Sequence, residues 1–123
     1  MGNIQGTILA ESLRPGTVLP DHGLRVIRLS RYEVPGAAEY QAPVWTAIEF
    51  EAPEEHAAAL AEDLAASLLS PGWYANWNSA TEATVVFPGR VFRYRRGDAA
   101  ARQAAQEHGR RCGVPEPQLD WTD

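Results

Sequence analysis

Two strand-like runs, Glu82–Phe87 (EATVVF) and Val91–Arg96 (VFRYRR), flank the dipeptide Pro88-Gly89. Runs rich in β-branched and aromatic residues on either side of a turn signal predict an antiparallel hairpin, and a hairpin fixes a register. Pro-Gly favours a type II turn, whose twist suits tight hairpins poorly, so a loop of about four residues is expected, closed by Phe87 and Arg90. Val86 then opposes Val91, Val85 opposes Phe92, Thr84 opposes Arg93, Ala83 opposes Tyr94 and Glu82 opposes Arg95. Val85, Ala83, Phe92 and Tyr94 form a core-facing side, with a Glu82–Arg95 pair on the other.

The hairpin sits between two helical patterns. Upstream, Pro53 suits a first helical turn and Glu54 and Glu55 complement the dipole. Ala57, Leu60, Ala61, Leu64 and Leu68 recur as one apolar stripe until Pro71-Gly72 stops it. Downstream, Asp98 is an N-cap for a helix from Ala99 to about Cys112, with an inner stripe of Ala101, Ala104, Ala105, His108 and Cys112 and a stop at Gly113. Before the first helix, Val44–Glu51 alternates cleanly: Val44, Thr46, Ile48 and Phe50 on one face, Trp45, Ala47, Glu49 and Glu51 on the other. Leu24–Val34 reads as a further strand. Thr7–Leu13, with Val18 and Leu19 extending its return, is expected to pair with that strand as an N-terminal hairpin. Trp73–Asn78 alternates without an evident partner, and Gln118–Trp121 reads as a short last strand with Leu119 and Trp121 facing the same way.

A chain of 123 residues forms one domain, 1–123, with a core of its own. The predicted class is α+β. From Val44 to Trp121, about two-thirds of the chain, the order of elements resembles the ferredoxin-like βαββαβ sandwich. That resemblance implies two helices on one face of an antiparallel sheet, with the N-terminal hairpin as an extension. It also sets Val44–Glu51 beside Val91–Arg96, where Glu49 and Glu51 would neutralise Arg93 and Arg95. The segment GRVFRYRRGD is similar to one in small uncharacterised bacterial α+β proteins; no function comes with that likeness.

Net charge −5 works against non-specific binding to phosphate backbones. All eleven basic residues are Arg, a bias that runs through the whole chain and marks no site. The single Cys112 cannot form an internal disulfide, which fits a cytoplasmic protein. The N-terminus has no signal-peptide pattern, and no apolar run is long enough for a membrane span. Walker, GxGxxG, HExxH, GxSxG and CxxC motifs are absent, which removes the common nucleotide, dinucleotide, zincin and α/β-hydrolase classes. No cofactor or metal is expected.

The remaining chemistry is sparse. His108 and Cys112 share a helix face at metal-ligand spacing, but two ligands make no site. His56 with Glu51, Glu54 and Glu55, or His22 in its turn, would serve acid–base catalysis if they converged in a cleft. Arg90, Arg93, Arg95 and Arg96 interleave with Phe92 and Tyr94. That superficially resembles the RNA-recognition motif but lacks its Gly-aromatic spacing, so nucleic acid is disfavoured. The aromatics are abundant: four Trp, four Tyr and three Phe. Trp45, Trp73, Tyr74, Asn76, Trp77, Asn78 and Arg93 are the candidate ligand-binding set, suited to a small polar–aromatic or anionic molecule. The expectation is a non-catalytic binding or accessory domain using an aromatic sheet face for a small molecule, a protein partner or a second copy of itself. The alternative is a small cofactor-free isomerase or lyase using His and carboxylate chemistry.

Overall fold

The computed structural model describes residues 2–123. Six strands form one antiparallel sheet: β1 (Asn3–Leu9), β2 (Arg25–Glu33), β3 (Val44–Pro53), β4 (Ala75–Asn78), β5 (Glu82–Phe87) and β6 (Arg90–Arg95), in the spatial order β2-β3-β1-β4-β5-β6. The helices are α1 (Ala57–Ser67) and α2 (Ala99–Arg111), with short 3-10 turns at Ala10–Ser12, Glu54–His56 and Glu116–Gln118. Among the described residues, no helix is long and apolar enough to cross a membrane.

The α+β class is as expected, and the β5–β6 register agrees residue for residue from Glu82↔Arg95 to Val86↔Val91. The turn is tighter than expected. Phe87 pairs with Arg90, so Pro88 and Gly89 alone make the connection. Gly89 takes the positive φ of 72° that this turn requires, and its N–H donates to Ala65 O at 2.9 Å, tying the turn to the end of α1.

The layering departs from the ferredoxin-like order. β1, read from sequence as half of a peripheral hairpin, lies in the middle of the sheet between β3 and β4. It ends at Leu9; Leu13 makes an isolated bridge to Leu68, and Val18 and Leu19 return through coil. β3 is therefore far from β6. Glu51 pairs with Arg25 and Glu49 with Arg28 across the β2–β3 ladder, so neither carboxylate reaches Arg93 or Arg95. The expected last strand is a 3-10 turn followed by irregular chain, although Leu119 and Trp121 do bury on the same side.

The two helices cover opposite faces. Alternation along β5 decides this. Val86 packs with Leu60 and Leu64 of α1, in a core shared with Ile4, Ile8, Phe50, Ala75 and Trp77. Ala83, Val85 and Phe87 pack with Ala105 of α2, Tyr94, Leu119 and Trp121. Neighbouring residues of one strand thus feed two cores, as a strand buried on both sides must; the burial along β5 is continuous after Glu82. On the α2 face, helix and tail cover the β5–β6 end. The β2–β3–β1 part of that face carries the site described next.

A candidate ligand cleft

Beyond the C-terminal tail, the α2 face opens into a cleft of about 280 Å³. Its floor is built by strand parity. Thr7 and Leu9 of β1, Trp45 of β3, Tyr32 of β2 and Asn76 of β4 line it. The registers Leu9↔Ala47, Thr7↔Asn76 and Tyr32↔Trp45 put these side chains on one face. Gly72-Trp73-Tyr74 and the segment containing Pro117, Gln118 and Asp120 form the walls.

Three rings turn around the floor. Trp45 lies 5.2 Å from Trp73 with planes 54° apart, and 6.5 Å from Tyr32 with planes 57° apart. Trp45 Nε1 donates to Ala42 O at 2.7 Å. Trp73 is only 4% exposed and acts as backing. Tyr74 is wedged against Trp121 and Phe87 at 5.3 and 5.8 Å, and its hydroxyl donates to Gln118 O at 2.5 Å. Burial, then the neighbouring Asp120 carboxylate, pushes the Tyr74 phenol well above its ordinary range, with Arg102 opposing. Tyr74 therefore stays neutral at any physiological pH and serves as a strut.

The walls are held by an amide pair. Gln41, 5% exposed, donates to Gln118 Oε1 at 2.8 Å and to Gly72 O at 2.9 Å. It accepts from Gln118 Nε2 and Ala38 N, both at 3.0 Å. Tyr40 donates to Gly113 O from the same loop. One buried side chain thus joins the β2–β3 loop, the Gly72 turn and the C-terminal segment, with its polar atoms satisfied.

No family model matches this chain, and no curated protein or solved structure matches it.

Of the seven candidate ligand-binding residues, four meet here: Trp45, Trp73, Tyr74 and Asn76. The other three do not. Trp77 is the next residue after Asn76 on a strand, so it points through the sheet to the α1 face; it is 1% exposed, edge-on to Phe50 at 6.2 Å, and its indole N–H has no partner among the described residues. Asn78 donates to Thr122 O at 2.8 Å and ties down the tail. Arg93 lies on the α1 face of the edge strand β6 and bonds Glu82 through Nε at 2.9 Å and Nη2 at 2.6 Å. Glu82 thus takes the diagonal Arg93 in place of its directly opposed Arg95. Both partners are well exposed (59% and 38%), so the pair is worth about 0.2–1 kcal/mol.

Thr7, Leu9, Tyr32, Gly72, Pro117, Gln118 and Asp120 were not singled out by sequence. Only the central position of β1 brings Thr7 and Leu9 beside Asn76, and no local pattern announces it. The alternation in β3 did mark Trp45 and Ala47 as one face, and Tyr32 is the aromatic residue that β2 places opposite Trp45.

The other constellations disperse. His22 Nε2 is 2.5 Å from Asp63 Oδ2, joining its turn to α1. His56 is exposed, and Glu51, held below the usual carboxylate range chiefly by its hydrogen bond from Arg25, is already paired. His108 Nε2 lies 3.2 Å from Cys112 Sγ, but no three His, Cys, Asp or Glu side chains come together among the described residues. Arg90 sits over the Phe92 ring at 4.5 Å, and Arg96 donates to Ser79 O at 3.0 Å.

Proposed function

We propose that this protein is a small non-catalytic binding domain that takes a small molecule in the aromatic cleft. The observation that carries the reading is the convergence of Trp45, Trp73 and Tyr32 with the polar groups of Thr7, Asn76 and Asp120 in one concavity. Mostly apolar walls with a few placed polar groups are what a small-ligand site requires. The test is a small-molecule screen of mixed charge, followed by intrinsic fluorescence. Hits should bind the parent chain and Arg93→Ala alike and lose at least about tenfold affinity in Trp45→Ala, as truncation of a central aromatic anchor does. Hits indifferent to Trp45, or none at all, overturn the reading.

The same proposal includes self-association and a cytoplasmic setting. β2 is a nine-residue edge strand on which Val26 and Leu29 are 54% and 64% exposed. An edge with unpaired N–H and C=O groups and apolar side chains is a template for a second strand. A second copy pairing there would cover it; a monomeric mass at all concentrations overturns that part. The cytoplasmic setting rests on the lone cysteine and is checked by cell fractionation.

A second reading, acid–base catalysis without a cofactor, draws on the His22–Asp63 pair. Neither residue lines the aromatic cleft, so any activity from this pair would survive Trp45→Ala and disappear in His22→Gln.

A further inference from the structure

Resting on the reading of the cleft as a binding site, we infer that its ligand is an organic cation with an alkylated ammonium head. Three observations carry this. The first is the ring geometry: Tyr32 and the buried Trp73 are tilted 57° and 54° from Trp45, so the three rings at the cleft do not stack flat. Aromatic faces carry negative quadrupole potential, and several turned about one volume hold a diffuse positive charge that hydrogen bonds cannot address. Trp45 spends its N–H on Ala42 O, leaving its π surface as what it offers a ligand.

The second is charge. Asp120 is the one charged side chain lining the cleft among the described residues, and it is exposed. No guanidinium or imidazole lines it. The nearby Arg102 is turned to Asp123 at 2.6 Å and to the Trp121 ring at 5.2 Å. Burial first, and then Glu11 and Glu49, raise the Tyr32 phenol above its ordinary value, so Tyr32 presents a neutral ring and hydroxyl to the cleft. An anion would meet Asp120 without a counter-charge; Arg93, the residue suited to one, is on the other face with Glu82. The third is size: about 280 Å³ admits a compact head and a short tail, at the small end of ligand sites.

The test is calorimetric titration with three probes of matched shape: choline, its neutral isostere 3,3-dimethyl-1-butanol, and the anion 3,3-dimethylbutanoate. Choline should bind about tenfold more tightly than the alcohol, as desolvated cation–π contacts with a carboxylate allow, and the anion least. Asp120→Asn, at an exposed residue, should fold normally and lose most of the choline preference. Equal binding of alcohol or anion overturns the inference, as does an Asp120→Asn protein that keeps the full preference. Absence of choline binding while neutral or anionic screening hits depend on Trp45 overturns it too, and leaves the cleft reading standing. Failure of every probe and every screened fragment overturns both.

Discussion

Gly6 lies opposite Phe50 on one side and Trp77 on the other, and the two rings meet across it at 6.2 Å. A Cβ there would sit 2.1 Å from Asn76 O and 2.5 Å from Trp77 Cβ. Only a glycine lets β1 and β4 approach this closely under the rings. Gly6→Ala should cost on the order of 3 kcal/mol, the upper range for overpacking against backbone; urea denaturation measures it, and a loss below about 1 kcal/mol would show that β4 can move aside. His108 makes a pH prediction. It sits against Phe87 and Phe92 at 5.0 and 5.4 Å, and burial, with Arg90 and Arg111 assisting, holds it below the ordinary 6.5. The unfolded chain then binds the proton more readily than the folded one. This residue's contribution to stability is present above about pH 6.5 and is lost as the pH falls through the folded value. His108→Gln should flatten the stability profile in that window; an unchanged profile contradicts the assignment.

At the level of elements, the cleft depends on pieces that have little structure of their own. The loop between β2 and β3 is held by Gln41, whose amide bonds Gly72 O and Gln118. Gln41→Ala should destabilise by about 2 kcal/mol, because it strands buried partners, and should speed hydrogen exchange at Ala38, which donates to Gln41 Oε1. Asp98→Ala tests a simpler device: Asp98 caps α2 by accepting from Ala101 N at 3.0 Å, and its loss should cost about 1 kcal/mol. The apolar stripe of α1, α2 with its Asp98 cap, and the β5–β6 register were legible in sequence because each is set by neighbours in the chain; Pro53, expected in the first turn of a helix, instead ends β3, and α1 starts at Ala57 without a side-chain cap. The place of β1 was not legible. Its partners β3 and β4 are joined to it only through the folded sheet, as in Gly6↔Phe50 and Gly6↔Trp77, and its polar Asn3 and Gln5 with a central glycine read as an end, not a middle. The segment Trp73–Asn78 was legible as a strand and as the place to look. Its parity separates Asn76 from Trp77, but which face would stay open depends on where the helices land.

For the whole molecule, the sheet is a partition. One core gathers under α1, around Phe50, Trp77, Leu60 and Leu64. The other gathers under α2 and the tail, around Phe87, Tyr94, Leu119 and Trp121. α2 covers only part of its face, and the uncovered part carries Trp45 and its neighbours, so aromatic abundance divides into buried rings and a lined cleft. The four Trp indoles sample these environments separately: Trp77 in the α1 core, Trp121 in the α2 core, Trp45 and Trp73 at the cleft. The most direct measurement is the four indole ¹H–¹⁵N resonances during titration with choline. The account predicts saturable shifts of Trp45 and Trp73 with Trp77 unmoved; shifts centred on Trp77 or Trp121, or no shift at Trp45, would contradict it.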